Sequence, residues 1–189
     1  MVKKLTILSV LEPFLSRPKE SLHLSQLSRD LKEPHPTLRQ HFNYLEKLGV
    51  IKKQIKGRLT LYSLNFSSPC LINYIVIAEE YMLINRMEKD LIFKELVSFL
   101  NSYNYKNKYL IFGSFVDNPK NANDVDLLII GSILKDDLNA FSRKYNLNIH
   151  PIQNKSMELI SDALKKEIIK KHLIINSTEE FLRWLYDGS

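Results

Sequence analysis

The sequence predicts an α+β protein, and three observations along its 189 residues support this class. Residues 4–48 carry leucine and phenylalanine at helical spacing, which predicts helices. Residues 50–65 alternate apolar and polar side chains around a lysine–glycine turn, which predicts a β-hairpin. Residues 109–152 contain apolar runs bounded by glycine, aspartate and asparagine, which predict the strands of a small mixed sheet.

Composition limits the classes of function. The chain is 44% hydrophobic, which is enough to bury one core or two small ones. Its single cysteine, Cys70, excludes an internal disulfide and leaves no cysteine cluster for zinc. No apolar run approaches the length of a membrane span. We therefore expect a cytoplasmic protein that does not interact with a membrane.

The positive charge of the chain is concentrated in its first third. Residues 1–66 contain 12 Lys and Arg against 5 Asp and Glu, a net charge of +7. Residues 67–189 contain 15 against 16, a net charge of −1. A basic segment joined to a nearly neutral remainder indicates that the first third binds a polyanion.

The first third is predicted to form three helices and a hairpin. Pro18 follows the first helix, Ser25 can cap the second, and Pro36 stands at the first position of the third, which Gly49 ends. The predicted helices span residues 4–15, 26–31 and 36–48, and the predicted strands span residues 50–54 and 59–65.

Three helices followed by a basic hairpin resemble the winged helix-turn-helix domains of prokaryotic transcription regulators. The segment LRQHFNYLEKLGVIKKQIKGRLTLYSLN is similar to the recognition helix and wing of that family. The resemblance implies that double-stranded DNA is the partner and that the third helix enters the major groove. A protein-binding role and a merely solvated charged face are the alternatives. The candidate DNA-binding residues are His35, Thr37, Arg39, Gln40 and Asn43 on the helix and Lys53, Lys56 and Arg58 on the hairpin.

A helical connector is predicted over residues 67–104. Ser68 and Pro69 can start a helix that continues to about residue 101, with a break near Glu88. Leu71, Ile75 and other apolar side chains make this stretch too hydrophobic for a free linker. We expect it to pack between the two domains or against a second copy of the chain, which would form a homodimer.

The segment 109–131, YLIFGSFVDNPKNANDVDLLIIG, has the strongest indications of chemistry. Gly113 and Ser114 follow an apolar strand, where a glycine lets the backbone approach a ligand and a helix start directs N–H groups at an anion. Asp124 and Asp126 lie two apart on the next strand, so their side chains point to the same face. Two adjacent carboxylates suit Mg²⁺, which completes its coordination with water and substrate phosphates.

These residues resemble the nucleotidyltransferase superfamily of the DNA polymerase beta type, in particular its minimal members. The resemblance implies that Gly113 and Ser114 hold the β- and γ-phosphates of a nucleoside triphosphate and that Asp124 and Asp126 hold Mg²⁺. A nucleoside monophosphate would pass to a hydroxyl of a protein or small molecule, and pyrophosphate would leave. Some minimal nucleotidyltransferases act as antitoxins, which implies a toxin-like protein as a further possible partner.

The sequence departs from the family pattern at two places. Residues 115–118 read Phe-Val-Asp-Asn, where the family has a small residue, an arginine and a second glycine. The strand predicted at 146–152 has Asn148 and His150 where the family carries a third carboxylate. His150 could accept a proton, or it could be a strand-end histidine with a satisfied hydrogen bond. The alternative function is therefore a transcription regulator whose degenerate nucleotidyltransferase domain only binds a nucleotide or a partner protein.

The predicted architecture has three parts. A winged helix-turn-helix domain spans residues 1–66, the helical connector spans 67–104, and an α/β nucleotidyltransferase-like domain with a small mixed sheet spans 105–189.

Overall fold

A computed structural model describes residues 6–104, 106–117 and 124–186 of the chain. The chain divides into two compact units, residues 1–81 and 82–189. Each unit combines helices with one small sheet, so the predicted α+β class is confirmed. The boundary between the units lies within the helix Leu71–Met87 and therefore inside the segment predicted as a connector.

Within the described residues, the first unit contains a three-stranded antiparallel sheet, a 3-10 turn and three α-helices before the boundary helix. The strand order is β1-β3-β2, and Ile51 pairs with Leu64 at the root of the hairpin. The elements are α1 (Glu12–Leu15), β1 (Leu22–His23), α2 (Leu24–Leu31), α3 (His35–Lys47), β2 (Ile51–Lys56) and β3 (Leu59–Leu64).

The core of the first unit joins α3 to the hairpin. Leu38, Phe42 and Leu45 recur at helical spacing, and all three are buried. The ring of Phe42 lies 4.5 Å from the ring of Tyr62 on β3, measured between centroids, and contacts Phe14 edge-on. Because the apolar stripe of α3 is fixed against β3, the opposite side of the helix points away from the core.

Two predicted helices differ from those observed. The helix predicted at 4–15 is a 3-10 turn over Ser9–Leu11 followed by the four residues of α1, and residues 4 and 5 lie outside the described part. Pro13 explains the short helix, because proline lacks an N–H and is tolerated only in the first turn. In α2 the cap is His23 rather than Ser25, since the His23 Nδ1 accepts a hydrogen bond of 3.1 Å from the Ser25 N–H.

The rest of the chain forms six α-helices, a 3-10 turn over Met157–Leu159 and four strands within the described residues. The predicted break near Glu88 is confirmed, because α4 ends at Met87 and the Asp90 carboxylate caps α5 by accepting from the Phe93 N–H at 3.0 Å. The elements are α4 (Leu71–Met87), α5 (Leu91–Tyr103), β4 (Lys108–Phe112), α6 (Ser114–Asp117), β5 (Asp124–Ile130), α7 (Lys135–Tyr145), β6 (Asn148–Asn154), α8 (Asp162–Lys170), β7 (His172–Ile174) and α9 (Thr178–Tyr186).

The sheet of the second unit is mixed, with strand order β6-β5-β4-β7. β5 runs parallel to β6 and antiparallel to β4, and β4 is antiparallel to β7. Val125, Leu127 and Ile129 point from β5 into a core that α5 and α7 complete. Asp124 and Asp126 occupy the opposite face, at the end where β5 begins. A deeply buried strand therefore presents two carboxylates at its exposed end.

None of the helices within the described residues combines the length and the apolar character that crossing a membrane requires.

Candidate functional site

Gly113 and Asp126 are in direct contact. Phe112, the last residue of β4, pairs with Asp126 of β5, so the following glycine lies beside the Asp126 side chain. Gly113 has φ +78°, and a Cβ atom at this position would stand 2.5 Å from Oδ2 of Asp126. A side chain at residue 113 would be strained by its backbone and would collide with the carboxylate. The two halves of the predicted motif therefore meet at one place.

Asp124 contacts the neighbouring strand β6. The parallel register sets Asp124 opposite Asn148 and Asp126 opposite His150. The Asn148 Nδ2 donates to the Asp124 Oδ1 at 2.7 Å and lies 3.0 Å from the His150 Nε2, which is itself 3.6 Å from the Asp124 Oδ1. The amide nitrogen is only a donor, so the His150 Nε2 accepts in this arrangement and carries a lone pair. An amide and an imidazole on β6 thus stand beside the two aspartates of β5.

The two aspartates differ in exposure. The Asp124 side chain is 64% exposed and the His150 side chain 54%, whereas Asp126 is half-buried beside Gly113. The arrangement is open on the side of Asp124, so a large substrate can reach it. Asp126 is the less exposed carboxylate, and it lies between Gly113 and the neighbouring strand β6.

The donor set suits a cation that arrives with a phosphate ligand. Among the described residues, no group of three or more His, Cys, Asp or Glu side chains is arranged to hold a metal ion. Mg²⁺ commonly takes one or two protein carboxylates and completes its coordination with water and substrate phosphates. Asp124 and Asp126 fit this requirement, because they project from one face of β5 at its exposed end.

The turn after β4 differs in one respect from the predicted phosphate cradle. The Gly113 N–H donates to the carbonyl of Lys171 at 3.3 Å, so this amide is already hydrogen-bonded. Ser114 begins the short helix α6, and its side chain is exposed. Gly113 therefore provides space for Asp126, and Ser114 is the residue of the pair that can meet a phosphate. Residues 115–118 are the segment that differs from the family pattern in the sequence, and the last of them, Asn118, lies outside the described residues.

Arg86 holds α6 in place. Its guanidinium donates to the carbonyl of Phe115 at 3.1 Å and to that of Val116 at 3.2 Å, and it forms an ion pair with Asp90 at 3.4 Å. It also lies over the rings of Phe93 and Phe115, at 5.3 and 5.4 Å from the ring centroids. Burial lowers the pKa of Arg86, and the charge of Asp90 opposes this shift.

Sequence reasoning missed Arg86. Its side chain is only 14% exposed, and Glu79 on the same helix is buried. The spacing of four between Arg86 and Asp90 indicates an ion pair on a helix. It carries no information about the carbonyl groups of α6, which lie about thirty residues further along the chain.

The predicted DNA-binding residues lie on α3 and the hairpin. Their exposure varies: Arg39, Gln40, Asn43, Lys53, Lys56 and Arg58 are exposed, whereas His35 and Thr37 are half-buried. Tyr44 was not predicted, although its side chain is 54% exposed. Its position between Asn43 and the buried Leu45 was the signal that could have identified it, because an aromatic residue beside the polar stripe is available for contact.

Lys53 pairs with Tyr62, whose ring packs on Phe42 of α3. The hairpin that carries the cations is therefore anchored to the helix that carries Arg39, Gln40 and Asn43. Comparison of the chain with protein-family models, with curated proteins and with solved structures gives no match.

Proposed function

We propose that this chain is a DNA-binding protein whose second unit transfers a nucleoside monophosphate from a nucleoside triphosphate to a hydroxyl group of a protein or small molecule. The observation that carries the proposal is the contact between Gly113 and Asp126. It brings together the Gly-Ser turn, which follows β4, and the Asp-x-Asp residues, which begin β5, at the same end of the two inner strands. A phosphate at Ser114 would then lie close to the carboxylates, as nucleotidyl transfer requires.

Each residue has a distinct part in the proposed reaction. Asp124 and Asp126 would hold Mg²⁺, which when bound neutralises charge on the phosphate oxygens. Ser114 donates its hydroxyl to the triphosphate. The His150 Nε2 gives up its hydrogen bond from Asn148 and takes the proton of the acceptor hydroxyl, whose oxygen forms a bond to the α-phosphorus while the bond to the pyrophosphate oxygen breaks. His150 is suited to this step by its exposure and its position opposite Asp126.

A second candidate is nucleotide binding without turnover. It is favoured by the 2.7 Å hydrogen bond from the Asn148 Nδ2 to Asp124, because this amide replaces the acid expected from the family that the sequence resembles and cannot itself accept a proton. A site of this kind would bind a nucleotide, or a partner protein such as a toxin, and the DNA-binding unit would report the result as altered affinity for DNA.

Nucleotide transfer is tested by incubating the whole protein with each labelled triphosphate and magnesium and measuring pyrophosphate release and labelled product. We expect transfer by the wild type and none by Asp126→Ala. Asp136→Ala is the matched control, because Asp136 is an exposed carboxylate in the first turn of α7. Transfer retained in Asp126→Ala refutes the catalytic proposal. Nucleotide binding without pyrophosphate supports the second candidate.

The first unit is proposed to bind double-stranded DNA as a winged helix. The support is the net charge of +7 over residues 1–66 and the exposure of Arg39, Gln40 and Asn43 on the helix face away from the core. Phosphate contacts release counterions, so the affinity measured by gel shift is expected to fall steeply with salt. An affinity that does not change between low and high salt would contradict phosphate contacts.

A homodimer is the quaternary structure we propose for DNA binding, since two-fold symmetric regulators bind two half-sites. Ile77 and Ile84, seven residues apart on α4, are 50% and 49% exposed and could pair with a second copy. Sedimentation equilibrium of the wild type and of Ile77→Ser/Ile84→Ser tests this. We expect a dimer that the double substitution converts to a monomer, and a monomeric wild type contradicts the proposal.

A further inference from the structure

The tip of the β2–β3 hairpin exposes two large aliphatic side chains. Ile55 is 68% exposed and Leu59 is 49% exposed, and they flank the turn formed by Gly57 and Arg58. Exposed aliphatic side chains forgo the stabilisation that burial gives, at about 25 cal/mol per Å² of apolar surface. Two of them at one hairpin tip therefore suggest a tip that is enclosed on both sides in a complex.

The register explains how the two side chains come to be uncovered. Ile51, Lys53 and Ile55 share one face of β2, because alternate residues of a strand point the same way. At the root this face is part of the core, where Ile51 is buried opposite Leu64. Towards the tip the same face is exposed, so the hairpin extends beyond the body of the unit.

Leu59 lies on the other face of the hairpin. It pairs with Lys56, whereas Ile55 pairs with Thr60. Directly paired residues of an antiparallel ladder point to the same side. The tip therefore carries one aliphatic side chain on each of its two faces: Leu59 directly follows the turn, and Ile55 lies two residues before it.

The charge around the tip identifies the partner. Four cations surround the aliphatic pair, and residues 51–64 contain no acidic side chain. A tip of this charge complements a polyanion, and duplex DNA is the polyanion that the first unit is proposed to bind. The four exposed cations are Lys52, Lys53, Lys56 and Arg58.

We propose that this tip enters the minor groove of duplex DNA, where Ile55 and Leu59 act as an apolar wedge that partly unstacks a base step and bends the duplex. The proposal rests on the proposed DNA binding of the first unit and adds a deformation to it. Two strands lie about 4.8 Å apart, so with side chains on both faces the ribbon is wider than a minor groove of about 6 Å. Entry therefore requires the groove to open, and aliphatic wedges at an opened step kink DNA towards the major groove.

The test compares three variants of the whole protein on one duplex, selected by the wild type from a random-sequence pool. Fluorophores at the two ends report bending by energy transfer, and 2-aminopurine at successive positions reports unstacking. Ile55→Thr/Leu59→Thr removes the wedge and keeps residues that favour strands. Lys53→Gln/Lys56→Gln removes charge. Leu134→Thr is the control, because Leu134 is also 68% exposed but lies in the second unit.

We expect a bent duplex with a 2-aminopurine signal for the wild type and for Leu134→Thr. The threonine pair should lose both signals while its affinity falls by less than about tenfold. The glutamine pair should lose affinity and reduce the slope of log K against log salt by about 1.8, at about 0.9 per phosphate contact, yet still bend the DNA it binds at low salt. Unchanged thermal unfolding of the threonine pair would show that the unit remains folded.

The outcomes separate the wedge from DNA binding itself. A salt-sensitive complex on a straight duplex overturns the wedge and leaves the DNA-binding proposal intact. Bending that persists in the threonine pair also overturns the wedge and points to a protein as the occupant of the tip. Failure of the wild type to form any complex overturns both proposals.

Discussion

The carboxylate of Asp126 occupies the space that a side chain at Gly113 would need. An added Cβ would approach the Asp126 Oδ2 to 2.5 Å, and the backbone at Gly113 is left-handed with φ +78°. Both the position of the acid and the identity of the glycine follow from the pairing of Phe112 with Asp126.

Gly113→Ala should lower the free energy of unfolding by about 2–4 kcal/mol, because backbone strain of about 1–2 kcal/mol adds to the overlap with Asp126. Affinity for a triphosphate with magnesium should fall as well. Urea denaturation and nucleotide titration measure the two effects. Gly57→Ala is the matched control, since Gly57 is also left-handed, with φ +59°, but no heavy atom lies within 4 Å of its added Cβ. Equal losses in both variants would contradict the clash.

Arg86→Lys should lower stability by about 2–3 kcal/mol, because an ammonium cannot keep both carbonyl hydrogen bonds and the aromatic contacts of the guanidinium. The substitution should also weaken triphosphate binding, because the hydrogen bonds of Arg86 to the carbonyl groups of Phe115 and Val116 position α6, the helix that begins at Ser114. Thermal unfolding and nucleotide titration are the measurements. Arg183→Lys is the control, because the Arg183–Glu179 pair is exposed and is expected to contribute less than about 1 kcal/mol. Full nucleotide affinity in Arg86→Lys would exclude a positioning role.

Asn148→Asp should add a third carboxylate next to Asp124. Without a divalent cation the new charge should destabilise the protein by a few tenths of a kcal/mol, since like charges on paired strands repel. With magnesium the melting temperature should rise above that of the wild type, and magnesium affinity should increase. Asn154→Asp, at the far end of the same strand, serves as the control. A magnesium response that is the same for both substitutions would contradict a cation site at Asp124.

Tyr62→Phe should stabilise the protein by about 1 kcal/mol, because a buried hydroxyl without a partner costs desolvation energy. The Tyr62 hydroxyl has no hydrogen-bond partner within the described residues. Tyr109 gives the matched comparison: it is equally buried, but its hydroxyl accepts from the Asn107 Nδ2 at 2.9 Å. Tyr109→Phe should therefore destabilise by about 1 kcal/mol. Urea denaturation measures both, and changes of the same sign would contradict this explanation.

Alkaline pH adds a second readout for Tyr62. Burial raises the pKa of this phenol; Arg39 lowers it and Glu46 raises it further. The unfolded chain then releases the phenol proton at lower pH than the folded chain. The free energy of unfolding is therefore unaffected by this proton below pH 10.0, and it decreases as the pH rises above that value. Tyr62→Phe should reduce the loss of stability above that pH.

Arg39→Ala and Arg58→Gln should affect DNA binding in different ways. Arg39 is exposed on the proposed recognition helix, and its loss should cost about 1–3 kcal/mol at one base pair of the preferred site. Arg58, in the hairpin turn, should act on phosphate, so its loss should weaken all sequences alike and reduce the salt slope by about 0.9. Competition binding with singly altered sites distinguishes them. An equal loss on every site in Arg39→Ala would exclude base recognition by Arg39.

Local sequence patterns predicted the local elements. The stripe of Leu38, Phe42 and Leu45 and the alternation in the hairpin each repeat within a few residues, and the structure has the predicted third helix and hairpin within one or two residues. Alternation also predicted that Asp124 and Asp126 share a face of their strand.

Contacts between distant segments could not be predicted in the same way. Periodicity does not specify which strand pairs with which, so the register that sets Asn148 against Asp124 appears only in the folded sheet. The bond from the Gly113 N–H to Lys171 and the bonds from Arg86 to α6 likewise join segments far apart in the chain. These contacts assign different tasks to Gly113 and Ser114, which the motif alone treats as one unit.

The unequal burial of the two strands at the site has an evolutionary consequence. β5 lies inside the sheet, and its residues beyond Asp126 are buried, so substitution there would cost folding stability. β6 is an edge strand, and its Asn148 and His150 side chains face water. Mutation can therefore exchange the chemistry of β6 almost freely while the acid pair stays in place. Under the proposed function, replacements on this outer strand alone would convert a catalyst into a nucleotide sensor or the reverse.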